Sequence, residues 1–318
     1  MLFRSVSQSR YPAVESCQTG YIACDAASSA KANVLATSNG ATWAATAADP
    51  FANDEHIASV RCVEISRDST RVMVFRGVTD GSNPAELAYS DDGGASWTNV
   101  NIGATNGEFV TFGNAVEAFD LNNIWVVTSE GYIYKSEDAG LTWSAQESGV
   151  ITSDALNCVH FADKNVGIVG GDNNILMKTI DGGETWSQVS MPAGQSTDEI
   201  YAVFALDSQR FWVGYSDGNL YCTFDGGTTW NTRSFTGSGS GAIKSIKFIN
   251  ELQGVLVHNT SAPVGGVHMT FNGGYSWEKL TAFSNSGLND IAICDDLKMF
   301  VVGETNSSTS YVAKGTAS

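Results

Sequence analysis

The sequence predicts an all-β fold, a seven-bladed β-propeller with four-stranded blades in a single domain over residues 1–318. Two observations lead to this prediction. A short motif that ends in tryptophan recurs at nearly constant spacing, and between its copies short apolar runs alternate with turn residues. The composition agrees, because 33 glycines and only 5 prolines suit many short strands joined by tight turns.

The repeated motif is clearest in KTIDGGETW, residues 178–186, and its residue types predict a hairpin corner. Asp-Gly favours left-handed backbone angles, which glycine adopts without a Cβ clash. The Asp181 carboxylate can accept hydrogen bonds from its own turn, with Thr179 and Thr185 on either side, and Trp186 packs into the sheet. Four close copies and a degenerate one are YSDDGGASW (89–97), KSEDAGLTW (135–143), CTFDGGTTW (222–230), MTFNGGYSW (269–277) and LATSNGATW (35–43).

The spacing of the corner tryptophans predicts one four-stranded unit per repeat. Successive tryptophans lie 43 to 54 residues apart, a period typical of one propeller blade. In the fourth repeat, LNCVHF, VGIVGG, ILMKT and TWSQVS have the apolar patterns of four short strands. Six blades are expected at about residues 11–46, 58–102, 112–149, 154–191, 199–236 and 241–283, with tryptophans Trp43, Trp97, Trp143, Trp186, Trp230 and Trp277.

A seventh blade is expected from LNDIAIC to SYVAKGT, where three strands are present without a corner or a fourth strand. The N-terminal segment MLFRSVSQ has one strand to spare. We therefore predict that residues 1–9 form the outer strand of blade 7 and close the ring, which would remove an open sheet edge.

Charge and hydropathy exclude several classes of partner. The formal net charge of −17 disfavours nucleic acid and anionic lipid. No run of 18 apolar residues predicts a membrane-spanning helix, and no secretory signal is evident at the start. The expectation is a cytoplasmic or virion-associated protein.

No metal or cofactor is expected. The six cysteines (Cys17, Cys24, Cys62, Cys158, Cys222 and Cys294) form no CxxC pair, and most lie in apolar strand patterns typical of buried thiols. Pairing of Cys17 with Cys24 across a hairpin stays open. The four histidines (His56, His160, His258 and His268) lack a metal-binding spacing such as HExxH.

The corners resemble the Asp-box, or BNR repeat, S/T-x-D-x-G-x-S/T-W. Asn272 replaces the aspartate in the last copy, and the copy at 36–43 departs at its first and third positions, Ala36 and Ser38. In Asp-box propellers the box is a structural corner away from the active face. The resemblance therefore implies structural roles for Asp92, Asp138, Asp181, Asp225 and Asn272 and for the tryptophans Trp97, Trp143, Trp186, Trp230 and Trp277.

Within that group, residues 156–186 are most similar to the photosystem II stability/assembly factor family, which shares a strand, D-x-x-x-G-x-V-G, a turn and the box. That resemblance implies a non-catalytic scaffold that binds other proteins. Propellers of this kind also occur on phage particles, so an assembly factor or a structural subunit of a larger complex, including a virion, is the expected function.

The alternative is a carbohydrate-binding or sialidase-like glycoside hydrolase propeller. Resemblance to sialidases would require three arginines that bind a substrate carboxylate, which guanidinium groups do in bidentate fashion. Arg10, in SRYP, resembles one of them, and Arg61, Arg76 and Arg233 stay open as the others. Glu64 and Glu117 could face the central channel as a carboxylate pair, although solvated channel residues are the favoured interpretation.

The expected partner surface is set by loop length. The loops between the second and third strands (B–C loops) share one face with the connections between blades, and the A–B turns and the corners share the other. The B–C loops of blades 6, 7, 1 and 2 are the long ones, and loops on a rigid scaffold carry recognition. We expect other protein subunits, or alternatively glycans, to contact Asp80, Asn83, Lys31, Ser261, Pro263, Asn306 and Phe51 in this sector.

Overall fold

A computed structural model describes residues 3–4, 6–7, 20–24, 33–51, 57–66, 69–77, 84–104, 108–110, 113–146, 154–191, 198–235, 241–259, 266–280, 287–293, 298–304 and 310–316. Their regular structure is β, apart from two 3-10 turns at Gly113–Ala115 and Asp172–Asn174. In this part of the chain no helix has the length and hydropathy needed to cross a membrane.

The first nine strands build two sheets. Sheet 1 has the order β1-β3-β4-β5, and sheet 2 the order β2-β6-β7-β8-β9. The strands are β1 (Phe3–Arg4), β2 (Val6–Ser7), β3 (Gly20–Cys24), β4 (Asn33–Thr37), β5 (Ala44–Ala45), β6 (Ile57–Ser66), β7 (Ser69–Arg76), β8 (Glu86–Ser90) and β9 (Thr98–Asn101).

Sheets 3 to 6 each pair four consecutive strands in chain order, and sheet 7 pairs three. Sheet 3 contains β10 (Val116–Asp120), β11 (Asn123–Val127), β12 (Ile133–Ser136) and β13 (Ser144–Ala145). Sheet 4 contains β14 (Leu156–Phe161), β15 (Gly167–Gly171), β16 (Leu176–Thr179) and β17 (Ser187–Gln188), and sheet 5 contains β18 (Ile200–Ala205), β19 (Phe211–Tyr215), β20 (Leu220–Thr223) and β21 (Asn231–Arg233). Sheet 6 contains β22 (Ile243–Phe248), β23 (Gly254–His258), β24 (Gly266–Thr270) and β25 (Glu278–Lys279), and sheet 7 contains β26 (Leu288–Ile293), β27 (Lys298–Glu304) and β28 (Ser310–Thr316).

The sheets are arranged as the blades of a propeller. The first blade strand of each sheet lies against that of the next, from β3 and β6 through β10, β14, β18 and β22 to β26. Sheet 7 returns to sheet 1, because the Phe300 ring meets Trp43 edge-to-face with centroids 5.9 Å apart and Val302 joins the core around Ile22. The all-β propeller with four-stranded blades is therefore confirmed.

The core lies between neighbouring sheets. Trp125 of sheet 3 stacks on Phe161 of sheet 4, and Trp212 of sheet 5 packs on Phe248 of sheet 6 with centroids 4.2 Å apart. Strands near the axis are covered on both faces, so every residue of β14 is buried, whereas both residues of the outer strand β17 are exposed. Burial of these aromatic rings, with the aliphatic residues around them, stabilises the contacts between sheets.

The expected count of seven four-stranded blades is wrong. Over the described residues, six sheets have four or more strands and sheet 7 has three. The four described residues of the N-terminal segment do not lie beside β28, as predicted for an outer strand. Phe3 and Arg4 pair antiparallel with Cys24 and Ala23, and Val6 and Ser7 pair parallel with Val60 and Arg61.

The N-terminal strands pair with β3 and β6 because these strands also offer open edges. A strand completes any open edge that offers unpaired N–H and C=O groups, and the edges of first strands are open as well as the edge of the last blade. The residue pattern of MLFRSVSQ does not distinguish between these edges.

Candidate interaction surface

The corners contain the hydrogen bonds that their residue types predict. In the corner at 178–186 the Thr185 amide donates to Asp181 Oδ1 at 2.9 Å, and the Thr185 hydroxyl donates to Oδ2 at 2.6 Å. Thr179 Oγ1 donates to Asp181 Oδ1 at 2.7 Å and accepts from the Gly183 amide at 2.9 Å. These donors stabilise the ionised form, so the Thr185 hydrogen bonds hold the pKa of Asp181 below its ordinary value.

The equivalent carboxylates behave alike. Donation from Ser96 lowers the pKa of Asp92 to about 2, and donation from Thr229 does the same for Asp225. Thr142 donates to Asp138 in the same way. In the last corner Asn272 keeps the pattern with an amide, because its Oδ1 accepts from the Ser276 amide and its Nδ2 donates to the Ser276 hydroxyl at 2.8 Å.

The second glycine of each Asp-Gly-Gly corner packs against the preceding sheet. Gly227 has a φ of 95°, and a Cβ there would lie 2.3 Å from Val189 Cγ1 of sheet 4. Trp230 of the same corner donates from Nε1 to the Ser190 carbonyl at 2.9 Å. The corner therefore fastens one sheet to the one before it, as well as turning the chain.

The degenerate copy forms a corner with residues that the motif alignment missed. Its first and third positions are Thr37 and Asn39, one residue later than Ala36 and Ser38. Asn39 Oδ1 accepts from the Thr42 amide at 2.8 Å, and the Gly40 amide donates to Thr37 Oγ1 at 3.0 Å. Aligning the motif on Thr37 with one residue deleted would have found this corner from sequence.

The axis is bridged by Asn114 on the face of the B–C loops. The first strands β18 and β22 each contain a bulge near their start, at Tyr201 and Lys244. A bulge leaves its residue out of the ladder. Asn114 Nδ2, from the 3-10 turn before β10, donates to both of these carbonyls, at 3.1 Å and 2.5 Å. One side chain of sheet 3 thus reaches sheets 5 and 6.

Arg61, on the inner strand β6, joins sheet 2 to the neighbouring sheet 3. It is 3% exposed, and its guanidinium donates to the Val116 carbonyl of sheet 3 at 2.9 Å and to the Ser59 hydroxyl at 2.7 Å. Burial lowers its pKa, and the charges of Asp290 and Glu117 act in the opposite direction. Glu117 therefore lies near the axis, as proposed from its strand pattern, and its nearby charge is Arg61.

The arginines left open for a sialidase-like triad do not converge. Arg61 lies on the first strand of sheet 2, and Arg76 lies on the second strand, paired with Glu86 at 2.9 Å. Arg233 lies on the outer strand of sheet 5, with its guanidinium 4.8 Å from the centroid of Tyr275 in sheet 6. Arg10 and the side chain of Glu64 lie outside the described residues.

The short-loop sector of the B–C face is acidic. Around sheets 4 and 5 it carries Asp154, Asp172, Asp198, Glu199 and Asp217. Partial burial raises the pKa of Asp172 and of Asp198, and the neighbouring charge of Glu199 raises both further. No group of side chains in the described ranges is arranged to hold a metal ion.

Most of the predicted partner residues lie outside the described part of the chain, namely Asp80, Asn83, Lys31, Ser261, Pro263 and Asn306. Phe51 is described, and it is 3% exposed in the core of sheets 1 and 2, with the Arg76 guanidinium 5.7 Å from its ring centroid. It is thus a core residue and is not presented to a partner.

Three described cysteines, Cys62, Cys158 and Cys222, are free thiols. Burial raises the pKa of Cys62 to about 12, so it is protonated at neutral pH. The proposed Cys17–Cys24 pair lies outside the described side chains.

The sheets and their corners define the class of this protein, a BNR-type β-propeller. It is similar to YCF48: a model of the family described as photosynthesis system II assembly factor YCF48 matches residues 149–292. YCF48 from Cyanidioschyzon merolae is 17% identical over 99% of this chain and 95% of its own, with a TM-score of 0.67. A structure of YCF48 bound to a D1 peptide is 13% identical over 98% of this chain and 91% of its own, with a TM-score of 0.68.

The fold is also shared with enzymes. The GH74 xyloglucanase from Xanthomonas campestris is 13% identical with a TM-score of 0.68, over 97% of this chain and 52% of that one, so this chain spans about half its length. No curated protein sequence matches the chain.

Proposed function

We propose that this protein is a non-catalytic interaction module that acts in a larger protein assembly, as an assembly factor or as a structural subunit such as a virion component. The observation that carries the proposal is the occupied axis. A small-molecule site needs a concave pocket with convergent polar groups. Asn114 bridges the axis at one end of the propeller, and the guanidinium of Arg61 is hydrogen-bonded to main-chain carbonyls. We therefore assign partner recognition to the faces of the propeller.

The similarity to YCF48 supports the same conclusion, since an assembly factor binds proteins. We propose the B–C face as the partner surface, with the long loops 78–84 and 260–265 as its contacts. The corner aspartates are assigned to structure, because their oxygens are already engaged by the corner's own donors.

The first test is the native mass of the particle that carries the chain, measured in extracts from its source by native mass spectrometry. A fixed stoichiometry well above 33.7 kDa is expected for a subunit or a bound assembly factor. A monomer at every concentration would contradict the proposal.

The second test locates the surface. Shortening 78–84 and 260–265 is expected to weaken co-purification of the partner, while Ile180→Ser and Phe271→Ser, at exposed positions on the corner face, serve as controls. If Asp198→Lys and Asp217→Lys abolish binding and the shortened loops do not, the partner occupies the acidic short-loop sector instead.

Glycan recognition is the second candidate, favoured by the shared fold with the GH74 xyloglucanase. A glycan array screened with the monomer distinguishes it. Saturable binding of one glycan class without a protein partner would favour this candidate.

A further inference from the structure

The first strands of sheets 1 and 2 present main-chain edges to the axis. Because β4 and β7 cover their outer sides, the edges of β3 and β6 that face inward are the ones on which β1 and β2 lie. Such an edge offers N–H and C=O groups to any extended segment. β1 and β2 also lie against β27 and β26 of sheet 7, so these two short strands contact three sheets at once.

The ladders of β1 with β3 and of β2 with β6 are among the shortest in the described part of the chain, as are the ladders of four outer strands. Each consists of two residue pairs, whereas β27 and β28 share seven. β6 is ten residues long, and only Val60 and Arg61 pair with β2. Few main-chain hydrogen bonds mean a low free energy of local opening, so such a strand can exchange while the sheets stay folded.

We propose that the inward edges of β3 and β6 are a docking site for one extended peptide strand. β1 and β2 occupy these edges here, and an extended segment of a partner takes the site by displacing them. This inference rests on the proposed function only in that the partner is a protein. The segment that fits is extended and free of proline at the paired positions, because a proline has no N–H for the ladder.

Strand exchange is tested with a probe that needs no knowledge of the partner. The probe is a labelled synthetic peptide of residues 1–9, MLFRSVSQS, added to the full-length chain. We expect the peptide to bind, with the chain's own segment displaced, and we expect a peptide carrying Val6→Pro not to bind.

A disulfide that holds β2 on β6, called the lock, tests strand exchange in a reversible way. Val6 and Val60 are Cα partners on adjacent strands, which lie about 4.8 Å apart, within the Cα separation of disulfides. Val6→Cys with Val60→Cys is therefore designed to link β2 to β6. The oxidised variant is expected to lose peptide binding and to regain it on reduction. The control is Tyr134→Cys with Ala145→Cys, partners in sheet 3 away from this edge, which is expected to bind the peptide in both states.

Equal binding to the oxidised and reduced lock would overturn the proposal, because the peptide would then dock elsewhere. Absence of binding to the unmodified chain would overturn it as well. If the cysteine variant fails to fold, hydrogen exchange on the unmodified chain decides: the peptide must release protection of the β1 and β2 amides while residues 57–66 stay protected. None of these outcomes depends on the native-mass test, so the two proposals fail separately.

Discussion

Sheets 3 to 6 and the seam formed by sheets 7, 1 and 2 use one repeat in different ways. In sheets 3 to 6 four consecutive strands pair in chain order, and a corner leads into each outer strand. At the seam, the described residues give sheet 7 three strands, the corner of sheet 1 is one residue shorter, and the distant strands β1 and β2 add to sheets 1 and 2. Regular repeats thus build sheets 3 to 6, and the seam is where the chain deviates from the repeat.

The largest expected effect is a difference in unfolding free energy between core substitutions in the two regions. Trp125→Ala removes a fully buried ring between sheets 3 and 4 and should cost about 3–5 kcal/mol of unfolding free energy. Trp43→Ala at the seam removes a partly exposed ring and should cost less. Chemical denaturation measures both, with Tyr132→Ala, at a 44% exposed position, as the control. Equal losses at Trp125 and Trp43 would contradict the comparison.

The next largest expected effect is a difference in stability loss between a corner of sheet 4 and the corner of sheet 1. Asp181→Ala removes an ionised acceptor of three hydrogen bonds and should lower the melting temperature by a few degrees. Asn39→Ala at the seam removes a neutral acceptor and should lower it less. Asp181→Asn should restore most of the loss, since Asn272 serves in the last corner. An unchanged melting temperature for Asp181→Ala would argue against a structural role.

Acid should weaken sheet 6 before the corners. Burial lowers the pKa of His258 below its ordinary 6.5, and the charge of Lys279 lowers it further. The hydrogen bond to the Gly266 carbonyl raises it, but by less than burial lowers it. The folded state therefore binds fewer protons, so stability is full above pH 6.5 and falls as the pH drops below it. The corner carboxylates, with lowered pKa values, contribute stability above about pH 4 that is lost towards pH 2.

Denaturation curves between pH 7.5 and 5 measure the histidine contribution. His258→Gln keeps a donor for the Gly266 carbonyl and removes the titration, so its stability should depend less on pH in that range. Identical slopes for the variant and the unmodified chain would assign the pH dependence elsewhere.

The smallest expected effect concerns the acidic short-loop sector. Burial and the charges of Asp217 and Glu199 raise the pKa of Asp198, so its ionised form is disfavoured in the folded state. Asp198→Asn should therefore raise stability slightly at pH 7, and the gain should vanish below pH 4. A loss of stability at pH 7 would show that the carboxylate is favourably paired.

The regular region was predictable because its information is local. Asp181, its flanking threonines and Trp186 occupy nine consecutive residues, and those residues satisfy one another. The corner at Thr37 and Asn39 was local too, but the deletion of one residue concealed it. The alternation of residues along β10 predicted that Glu117 faces the axis. The same pattern contained no sign of the long-range contacts of Asn114.

The sequence by itself determined the corners, the strand order within a unit and the repeat, because each depends on turn chemistry and apolar periodicity within one unit. Tertiary structure alone decided which sheet edges β1 and β2 join, that Phe51 is buried, and that Asn114 reaches carbonyls 87 and 130 residues away. These outcomes depend on which surfaces meet after the sheets assemble around the axis. A strand or a side chain carries no record of its distant partner, since many open edges and carbonyls offer the same hydrogen bonds.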